Sequence, residues 1–183
     1  MAQKATVFKA ELQLADLERG YYADHSLTLA RHPSETDERL MLRVLAFALQ
    51  ARPALAFGGG LSSDDQPDLW DKDLTGAIRL WIDVGLPDEK LVRRACGRAA
   101  QVVVYSYGGH RAQLWWTQAK KTLEAIDNLA VYDVPVEASR ALAALAQRNM
   151  RLQCTIQEGQ ALFTDGNSAV QVEVVALKAA SPA

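Results

Sequence analysis

The chain has 183 residues, of which 49% are hydrophobic and 23% charged, and its formal net charge is −2. These values are typical of a soluble globular protein of one domain, 1–183, and they exclude a chain that is basic throughout, as many nucleic-acid-binding proteins are. No apolar run is long enough to span a membrane, and residues 1–7 lack the apolar core of a signal peptide, so we expect a cytoplasmic protein with no membrane partner.

The first part of the chain predicts a hairpin followed by a buried helix. Alternating apolar and polar residues indicate strands over 6–15 and 24–32, joined as an antiparallel hairpin with a long loop. A helix then opens with Ser34 as its N-cap and Asp37 as a weak capping-box partner, and Pro53 ends it. Its body is apolar almost all round, so we expect burial on more than one side.

The middle of the chain predicts alternating strands and helices. The nearly continuous apolar stretch 77–84 is typical of a central strand covered on both faces, and an acidic loop precedes it. Further strands are predicted over 54–57, 101–107, 129–134, 150–156, 161–164 and 169–177, and helices over 86–99, 111–126 and 136–148. The fold class is therefore α/β (α+β), with a mixed, partly parallel sheet flanked by helices and antiparallel hairpin additions at both ends.

Charge is distributed unevenly along this middle part. Residues 61–73 contain five aspartates against a single lysine, whereas residues 87–121 contain seven basic residues against two acidic ones. An acidic segment able to hold metal, followed by a basic segment able to hold phosphate, suits a nuclease. The plain alternative, which is favoured for charged helix faces in general, is that these side chains are only solvated.

Two aspartates form the main candidate site. Pro67-Asp68 precedes the central strand and Asp83-Val84-Gly85 ends it, so both carboxylates can hold one divalent metal if the two segments lie side by side. Mg²⁺ accepts one or two carboxylates and keeps several waters, and such an ion assists phosphodiester cleavage. The spacing alone is a weak signal. Asp83 could simply end a strand, and Asp68 could belong to a polar loop that caps a short helical turn.

Other charged residues could complete that site. Glu35 or Glu38, in the first turn of the first helix, could assist a metal, although dipole compensation and capping are the favoured interpretation for them in isolation. Glu38 is preferred because it lies one turn further into the helix. Lys90, Arg93 and Arg94 follow Asp83 on the next helix and could contact phosphate, and the alternative for them is a solvated helix face.

The remaining motifs carry less information about function. Cys96 and Cys154 have no metal-ligand spacing and are interpreted as buried reduced thiols, with a disulfide as the second interpretation. The three histidines have neither metal nor triad spacing. Trp115-Trp116 could stack on bases, but adjacent residues point to different helix faces, so at least one belongs to the core. Gly58-Gly59-Gly60 and Gly108-Gly109 are interpreted as turns.

Several long runs match a known family together. They include Trp81-Ile82-Asp83-Val84-Gly85-Leu86-Pro87-Asp88-Glu89 and Ala30-Arg31-His32-Pro33-Ser34-Glu35-Thr36. Further matches lie at 38–39, 60–61, 64–65, 67, 115–116, 155–157 and 159. On these residues the chain resembles the YaeQ family of small bacterial cytoplasmic proteins, essentially end to end. That resemblance implies a compact variation on the PD-(D/E)XK nuclease fold, the restriction-endonuclease-like architecture.

The resemblance also assigns expected roles. It implies that Glu38 is the helix carboxylate, with Glu35 the second choice, and that Asp68 and Asp83 are the metal carboxylates. The lysine of the superfamily motif is replaced by Gly85. Within that superfamily the lysine sometimes moves to the following helix, which makes Lys90, Arg93 or Arg94 a candidate replacement, and loss of activity is the other outcome.

Two functions follow as hypotheses. The first is a Mg²⁺-dependent phosphodiesterase acting on nucleic acid, in which Asp68 and Asp83 hold the metal, Glu38 orients its water and Lys90 contacts the phosphate. The alternative is a non-catalytic protein that keeps the nuclease fold and binds nucleic acid or the transcription machinery, through Arg93 and Arg94. A structural partner in a complex is the third possibility. Because one fold hosts many functions, fold alone does not decide among them.

Overall fold

The structure, a computed structural model, describes residues 4–182, so the first three residues of the segment tested for a signal peptide lie outside the described residues. The helices are α1 (Asp37–Gln50), α2 (Glu89–Arg98), α3 (His110–Leu123) and α4 (Val136–Ala143). The strands are β1 (Thr6–Asp16), β2 (Tyr21–Arg31), β3 (Leu55–Phe57), β4 (Leu69–Lys72), β5 (Ile78–Val84), β6 (Ala99–Ser106), β7 (Leu129–Asp133), β8 (Asn149–Gln157), β9 (Gln160–Thr164), β10 (Ala169–Val172) and β11 (Val175–Lys178).

The predicted fold class is confirmed, since the chain is a mixed α/β protein with two mixed sheets and four helices among its described residues. The chain divides into two compact units. Unit 1 contains the residues up to Leu49 together with Glu137–Val174, and unit 2 contains Gln50–Val136 together with the residues from Val175 onward. The hairpins at the two ends of the chain form a sheet of their own in unit 1.

Unit 1 is built on a five-stranded sheet with the order β10-β9-β8-β1-β2. Only the β1–β8 pair is parallel in this sheet. The hairpin of β1 and β2 is paired from Thr6↔Arg31 to Asp16↔Tyr21, so the predicted long loop is wrong. The connection is the short turn 17–20, because the Asp16 carboxylate accepts the backbone N–H groups of Glu18 and Arg19 and closes it.

The body of α1 is buried, as its composition predicts, with residues 40–48 at most 5% exposed. The helix begins later than predicted. Thr36 is the capping residue, because its Oγ1 accepts the backbone N–H of Arg39 (3.1 Å) and its carbonyl accepts that of Leu40 (3.1 Å). Ser34, the predicted N-cap, instead forms a 2.7 Å hydrogen bond with Nδ1 of His32.

Unit 2 is built on a six-stranded sheet with the order β11-β7-β6-β5-β4-β3. Strands β5, β6 and β7 are parallel and are connected by α2 and α3, as the alternation of strands and helices predicts. Buried apolar side chains of these strands pack with those of both helices in one cluster that includes Trp81, Val92, Val104 and Leu123. The predicted central strand is therefore confirmed as β5, which lies between β4 and β6.

Two strands differ from prediction for a tertiary reason. Strand β4 lies within the predicted acidic loop, and its four residues Leu-Trp-Asp-Lys form a strand because β3 and β5 pair with it on its two sides. The predicted strand 169–177 is two strands, since β10 pairs with β9 in unit 1 whereas β11 pairs with β7 in unit 2.

Both cysteines are free thiols, as predicted. Burial raises the pKa of the Cys96 thiol to about 11 and that of the Cys154 thiol to about 12. Both thiols are therefore protonated at neutral pH, and neither has the lowered pKa of a reactive cysteine. Within residues 4–182, none of the helices combines the length and apolarity needed to cross a membrane.

Candidate functional site

The pairing of β4 with β5 brings Asp68 and Asp83 side by side in unit 2. The register runs through Leu69↔Ile82, Trp70↔Trp81 and Asp71↔Leu80. Asp68 and Asp83 are the next residues of the two segments beyond the Leu69↔Ile82 end of this ladder. Strand alternation places the Asp83 side chain on the face of β5 that carries Trp81.

The Asp68 carboxylate is buried and held in place by the backbone of β5. The side chain belongs to a residue that is only 3% exposed. Its Oδ2 accepts the backbone N–H of Val84 (2.8 Å), so the carboxylate continues the β4–β5 hydrogen bonding where the ladder ends. Asp68 directly precedes β4, so its carboxylate lies at the junction of the acidic loop and the strand.

The Asp83 carboxylate is half-buried at the end of β5. Its Oδ2 accepts the indole N–H of Trp81 (3.0 Å), two residues earlier on the same face of the strand. The Trp81 ring in turn lies under the Arg98 guanidinium at 5.0 Å and meets Trp70 edge-on. Each carboxylate of the pair is thus oriented by one fixed N–H donor, as the ligands of metal sites commonly are.

The glycine run before the acidic loop packs against the Pro67-Asp68 segment. The backbone N–H of Gly58 donates to the Asp68 carbonyl (2.9 Å), and that of Gly60 donates to the Pro67 carbonyl (3.1 Å). A Cβ on Gly58 would lie 2.3 Å from the Pro67 oxygen, and one on Gly60 would lie 2.7 Å from Oδ1 of Asp68. The turn interpretation missed this role, because three adjacent glycines signal close backbone approach without identifying what approaches.

Gly85, which replaces the superfamily lysine, adopts a backbone conformation that favours glycine. Its φ is +119°, while its N–H still donates to the Tyr105 carbonyl of β6 (2.9 Å). A Cβ built at this position meets no atom within 4 Å, so space does not explain the glycine. At position 85 the chain therefore differs from the superfamily motif in its backbone conformation as well as in its side chain.

Restoring the motif lysine with Gly85→Lys is expected to lower the free energy of unfolding by about 1–3 kcal/mol, because an L-residue is strained at this φ. Gly85→Ala should lower it equally, since the strain comes from the backbone. The matched control is Gly97→Lys on α2, where a Cβ also meets nothing within 4 Å and a side chain gains helix propensity. Urea unfolding measures all three, and an unchanged value for Gly85→Ala would contradict the strain argument.

The basic candidates lie on α2, which follows Gly85 directly. Lys90, Arg93 and Arg94 are all exposed. Asp88 caps the helix by accepting the backbone N–H of Lys90 (2.8 Å), and Nη1 of Arg94 lies 3.9 Å from Oδ1 of Asp65 in the acidic loop. An exposed pair of this kind contributes at most about 1 kcal/mol and leaves the guanidinium able to bind a phosphate.

Glu35 and Glu38 both belong to unit 1, but only Glu38 lies in the first turn of α1, whereas Glu35 precedes the helix, contrary to prediction. Glu35 is 3% exposed, and its two oxygens bind Arg43 (2.5 Å) and Arg39 (2.6 Å), so its role is to neutralise these arginines. Glu38 is half-buried and accepts the Ser139 hydroxyl at 3.4 Å. The role of Glu38 in a metal site stays a prediction.

The sequence interpretation missed two buried polar groups in unit 2. Asp71 is 1% exposed, and its carboxylate binds Arg79 (2.7 Å) and lies 3.7 Å from Arg52. Ser106, fully buried at the end of β6, donates to Asp133 at the end of β7 (2.7 Å), and burial raises the pKa of the Asp133 carboxyl. The signal for both was a polar residue that ends or interrupts an apolar strand.

The adjacent tryptophans of α3 serve the fold. Trp115 and Trp116 are both half-buried against the apolar cluster of unit 2. The indole N–H of Trp115 also donates to the Pro87 carbonyl (2.8 Å) and so ties α3 to the start of α2. The expectation that at least one of them belongs to the core is confirmed.

The metal-ligating potential of the site rests on a pair of carboxylates. Across the part of the chain that the structure describes, no three or more His, Cys, Asp or Glu side chains are grouped closely enough to hold a metal ion together. A zinc site of four protein ligands is not formed there. A pair of carboxylates still suits Mg²⁺, which is commonly bound by one or two carboxylates and completes its shell with water and substrate oxygens.

Comparisons with known proteins agree over nearly the whole chain. The family model described as YaeQ protein matches residues 1–174. The uncharacterised protein YaeQ of Escherichia coli (strain K12) is 43% identical over 176 residues, which are 96% of this chain and 97% of that protein. The corresponding Salmonella typhi protein is 41% identical over the same shares of the two chains.

Two solved structures have the same fold. The crystal structure of the YaeQ protein from Xanthomonas axonopodis pv. citri matches with a TM-score of 0.92 and 49% identity, covering 97% of this chain and 99% of that chain. The crystal structure of the YaeQ protein from Pseudomonas syringae matches with a TM-score of 0.91 and 35% identity, covering 96% and 97% of the two chains.

Proposed function

The chain belongs to the YaeQ family, and from that premise we propose that it is a Mg²⁺-dependent phosphodiesterase that cleaves nucleic acid at Asp68 and Asp83. The observation that supports the proposal is the hydrogen bond from the Val84 N–H to Oδ2 of Asp68, which sets the Asp68 carboxylate beside the residue that follows Asp83 at the end of the paired strands. A carboxylate that is 3% exposed, next to a second one, is costly to keep unless a cation or donors compensate it.

The carboxylate pair suits a hard divalent cation. Bound Mg²⁺ supplies an activated water and neutralises charge on a phosphate. Asp68 is positioned for it by the Val84 backbone and Asp83 by the Trp81 indole. Lys90 on α2 is the proposed phosphate contact in place of the missing motif lysine. Exposed Arg93 and Arg94 extend the positive charge of α2 for a polyanionic substrate.

Cleavage and metal binding test the proposal together. We expect purified protein to bind Mn²⁺, measured by calorimetry, and to cleave labelled single- or double-stranded DNA or RNA when Mg²⁺ or Mn²⁺ is present. EDTA should abolish the cleavage. The Asp83→Asn protein, purified in the same way, is the control for a contaminating nuclease. Cleavage that is equal in wild type and Asp83→Asn would contradict the proposal, as would the absence of cleavage on every substrate.

A second candidate is a non-catalytic protein that binds nucleic acid or the transcription machinery. The observation that favours it is Gly85, because the backbone at the motif position is formed for glycine and offers no side chain to a phosphate. This candidate predicts binding that weakens with salt, survives Asp83→Ala and fails when Arg93 and Arg94 are replaced by glutamine. Fluorescence anisotropy with a labelled oligonucleotide at several salt concentrations distinguishes it from the enzyme.

A further inference from the structure

Part of strand β8 has an open edge inside unit 1. The carbonyls of Arg148 and Ile156 accept N–H groups from the β1 side, at Lys9 and Leu17. Even-numbered residues of β8 therefore direct their backbone groups to β1, and odd-numbered residues direct theirs to β9. Strand β9 pairs with β8 only from Gln153 to Gln157.

Asn149 and Arg151 consequently direct their backbone N–H and C=O groups past the end of β9. Within residues 4–182, no hydrogen bond uses these four groups. An edge of this kind is a template for another strand. An added strand would continue the line of β9 and run antiparallel to β8. Each of its residues that lies opposite an odd-numbered residue of β8 could exchange two hydrogen bonds with that residue.

A cavity of about 460 Å³ lies at this edge. Asp165 and Asn167 of the β9–β10 turn line it, and so does Leu145, which precedes β8. The Asp165 carboxylate is occupied by its own turn, since Oδ1 accepts the backbone N–H groups of Asn167 and Ser168. The volume falls in the range of about 300–1,000 Å³ that is usual for small-ligand pockets.

The side chains at the cavity differ on the two sides of the strand. Arg151 and Lys9 are exposed on one side, and neither forms an ion pair with a residue in the described range 4–182. Glu11 lies opposite Arg151 on β1, but its carboxylate accepts the Ser26 hydroxyl. Met150 and Leu152 point to the other side, where they line the cavity and are 5% and 1% exposed.

We propose that this cavity binds an extended peptide, which adds to the open edge of β8 beyond the end of β9 and places an acidic residue opposite Arg151 and an apolar residue next, opposite Met150. The backbone groups of Asn149 and Arg151 supply hydrogen bonds, and alternate side chains supply specificity, as in other complexes formed by strand addition. Arg151 selects the acidic residue as a cross-strand partner. This site lies wholly in unit 1 and is independent of Asp68 and Asp83.

A fluorescein-labelled peptide, acetyl-Glu-Val-Thr-Val-Thr-amide, tests the proposal by anisotropy with the full chain, because its glutamate can lie opposite Arg151 while the residues after it continue toward Asn149. We expect saturable binding, and the same peptide with Gln in place of Glu should bind about threefold to fivefold more weakly, as for loss of an exposed ion pair. The peptide with an N-methyl group on the backbone nitrogen of its glutamate keeps the charge but loses the hydrogen bond to the Arg151 carbonyl. It should therefore bind about tenfold more weakly than the unmodified peptide. Arg151→Gln should reproduce the loss seen with the Gln peptide, while Arg140→Gln, at an exposed position on α4, should bind as wild type does.

Amide hydrogen exchange gives a second measurement at the edge itself. In the protein alone, the Arg151 amide should exchange faster than those of Met150 and Leu152, which β1 protects, and the peptide at saturation should slow it at least tenfold. Equal binding of the N-methyl peptide would overturn strand addition, and equal binding of the Gln peptide would overturn selection by Arg151. Failure of the labelled peptide to bind at millimolar protein would overturn the site.

Discussion

Replacing Glu35 by alanine is expected to lower the free energy of unfolding by about 3–5 kcal/mol, the range for breaking a buried ion pair from one side. The Glu35 side chain is 2% exposed, and its two oxygens bind the guanidinium groups of Arg43 and Arg39. Arg43 is itself only 5% exposed, so its charge would stay in the interior without this carboxylate. Urea unfolding followed by circular dichroism measures the change.

The matched control is Asp37→Ala, two residues further along the chain. Asp37 also binds an arginine at 2.6 Å, Arg31, but its side chain is 51% exposed. Solvent screening should hold that loss to about 1 kcal/mol or less. Equal losses for the two variants would contradict the assignment of Glu35 to a buried structural network, and a wild-type stability for Glu35→Ala would do so directly.

Replacing Asp83 by asparagine is expected to lower metal-dependent cleavage about 10²-fold to 10³-fold, the size seen when one group that stabilises transition-state charge is removed. Asparagine keeps an oxygen that can accept the Trp81 indole N–H, so the fold should be retained while the metal loses one of its two anionic ligands. Asp68→Asn should behave alike, because its amide oxygen can still accept the Val84 N–H. Cleavage rates and Mn²⁺ calorimetry on the same preparations measure both effects.

Asp65→Asn is the control for this pair. Asp65 lies three residues before Asp68 in the same acidic segment, but its carboxylate is exposed and is 3.9 Å from Arg94. Its replacement should leave Mn²⁺ binding and cleavage close to wild type. If Asp65→Asn lowers them as much as Asp83→Asn does, the effect comes from the general charge of the segment, and the carboxylate pair is not the site.

Much of unit 2 could be predicted because its signals are local. The apolar run 77–84, the helix opened by Asp88 and the next apolar strand each follow from residues adjacent in sequence, and these elements appear as β5, α2 and β6. Strand β4 could not be predicted in this way. Its short sequence has neither clear alternation nor an apolar run, and it becomes a strand through hydrogen bonds to β3 and β5.

In the candidate site, too, some features could be predicted from the sequence and others required the fold. Asp68, Asp83 and the glycine at position 85 could be identified from the order of residues and the family resemblance. The role of Glu35 could not be identified in this way, because only the folded α1 brings Arg39 and Arg43 to the two oxygens of its carboxylate. The two sheets also could not be predicted, since Val172 and Val175 lie three positions apart yet pair with strands in different sheets.

The sequence by itself determined the fold class, the family and the two aspartates, since periodicity, composition and motif order are properties of neighbouring residues. Only the tertiary structure decided that the Asp68 carboxylate binds the backbone next to Asp83, that the glycine run packs against Pro67-Asp68 and that Gly85 has a positive φ. It also decided that β8 keeps an open edge at Arg151. The physical reason is that these features depend on hydrogen bonds and close approaches between different segments of the backbone, which the residue pattern of one segment does not show.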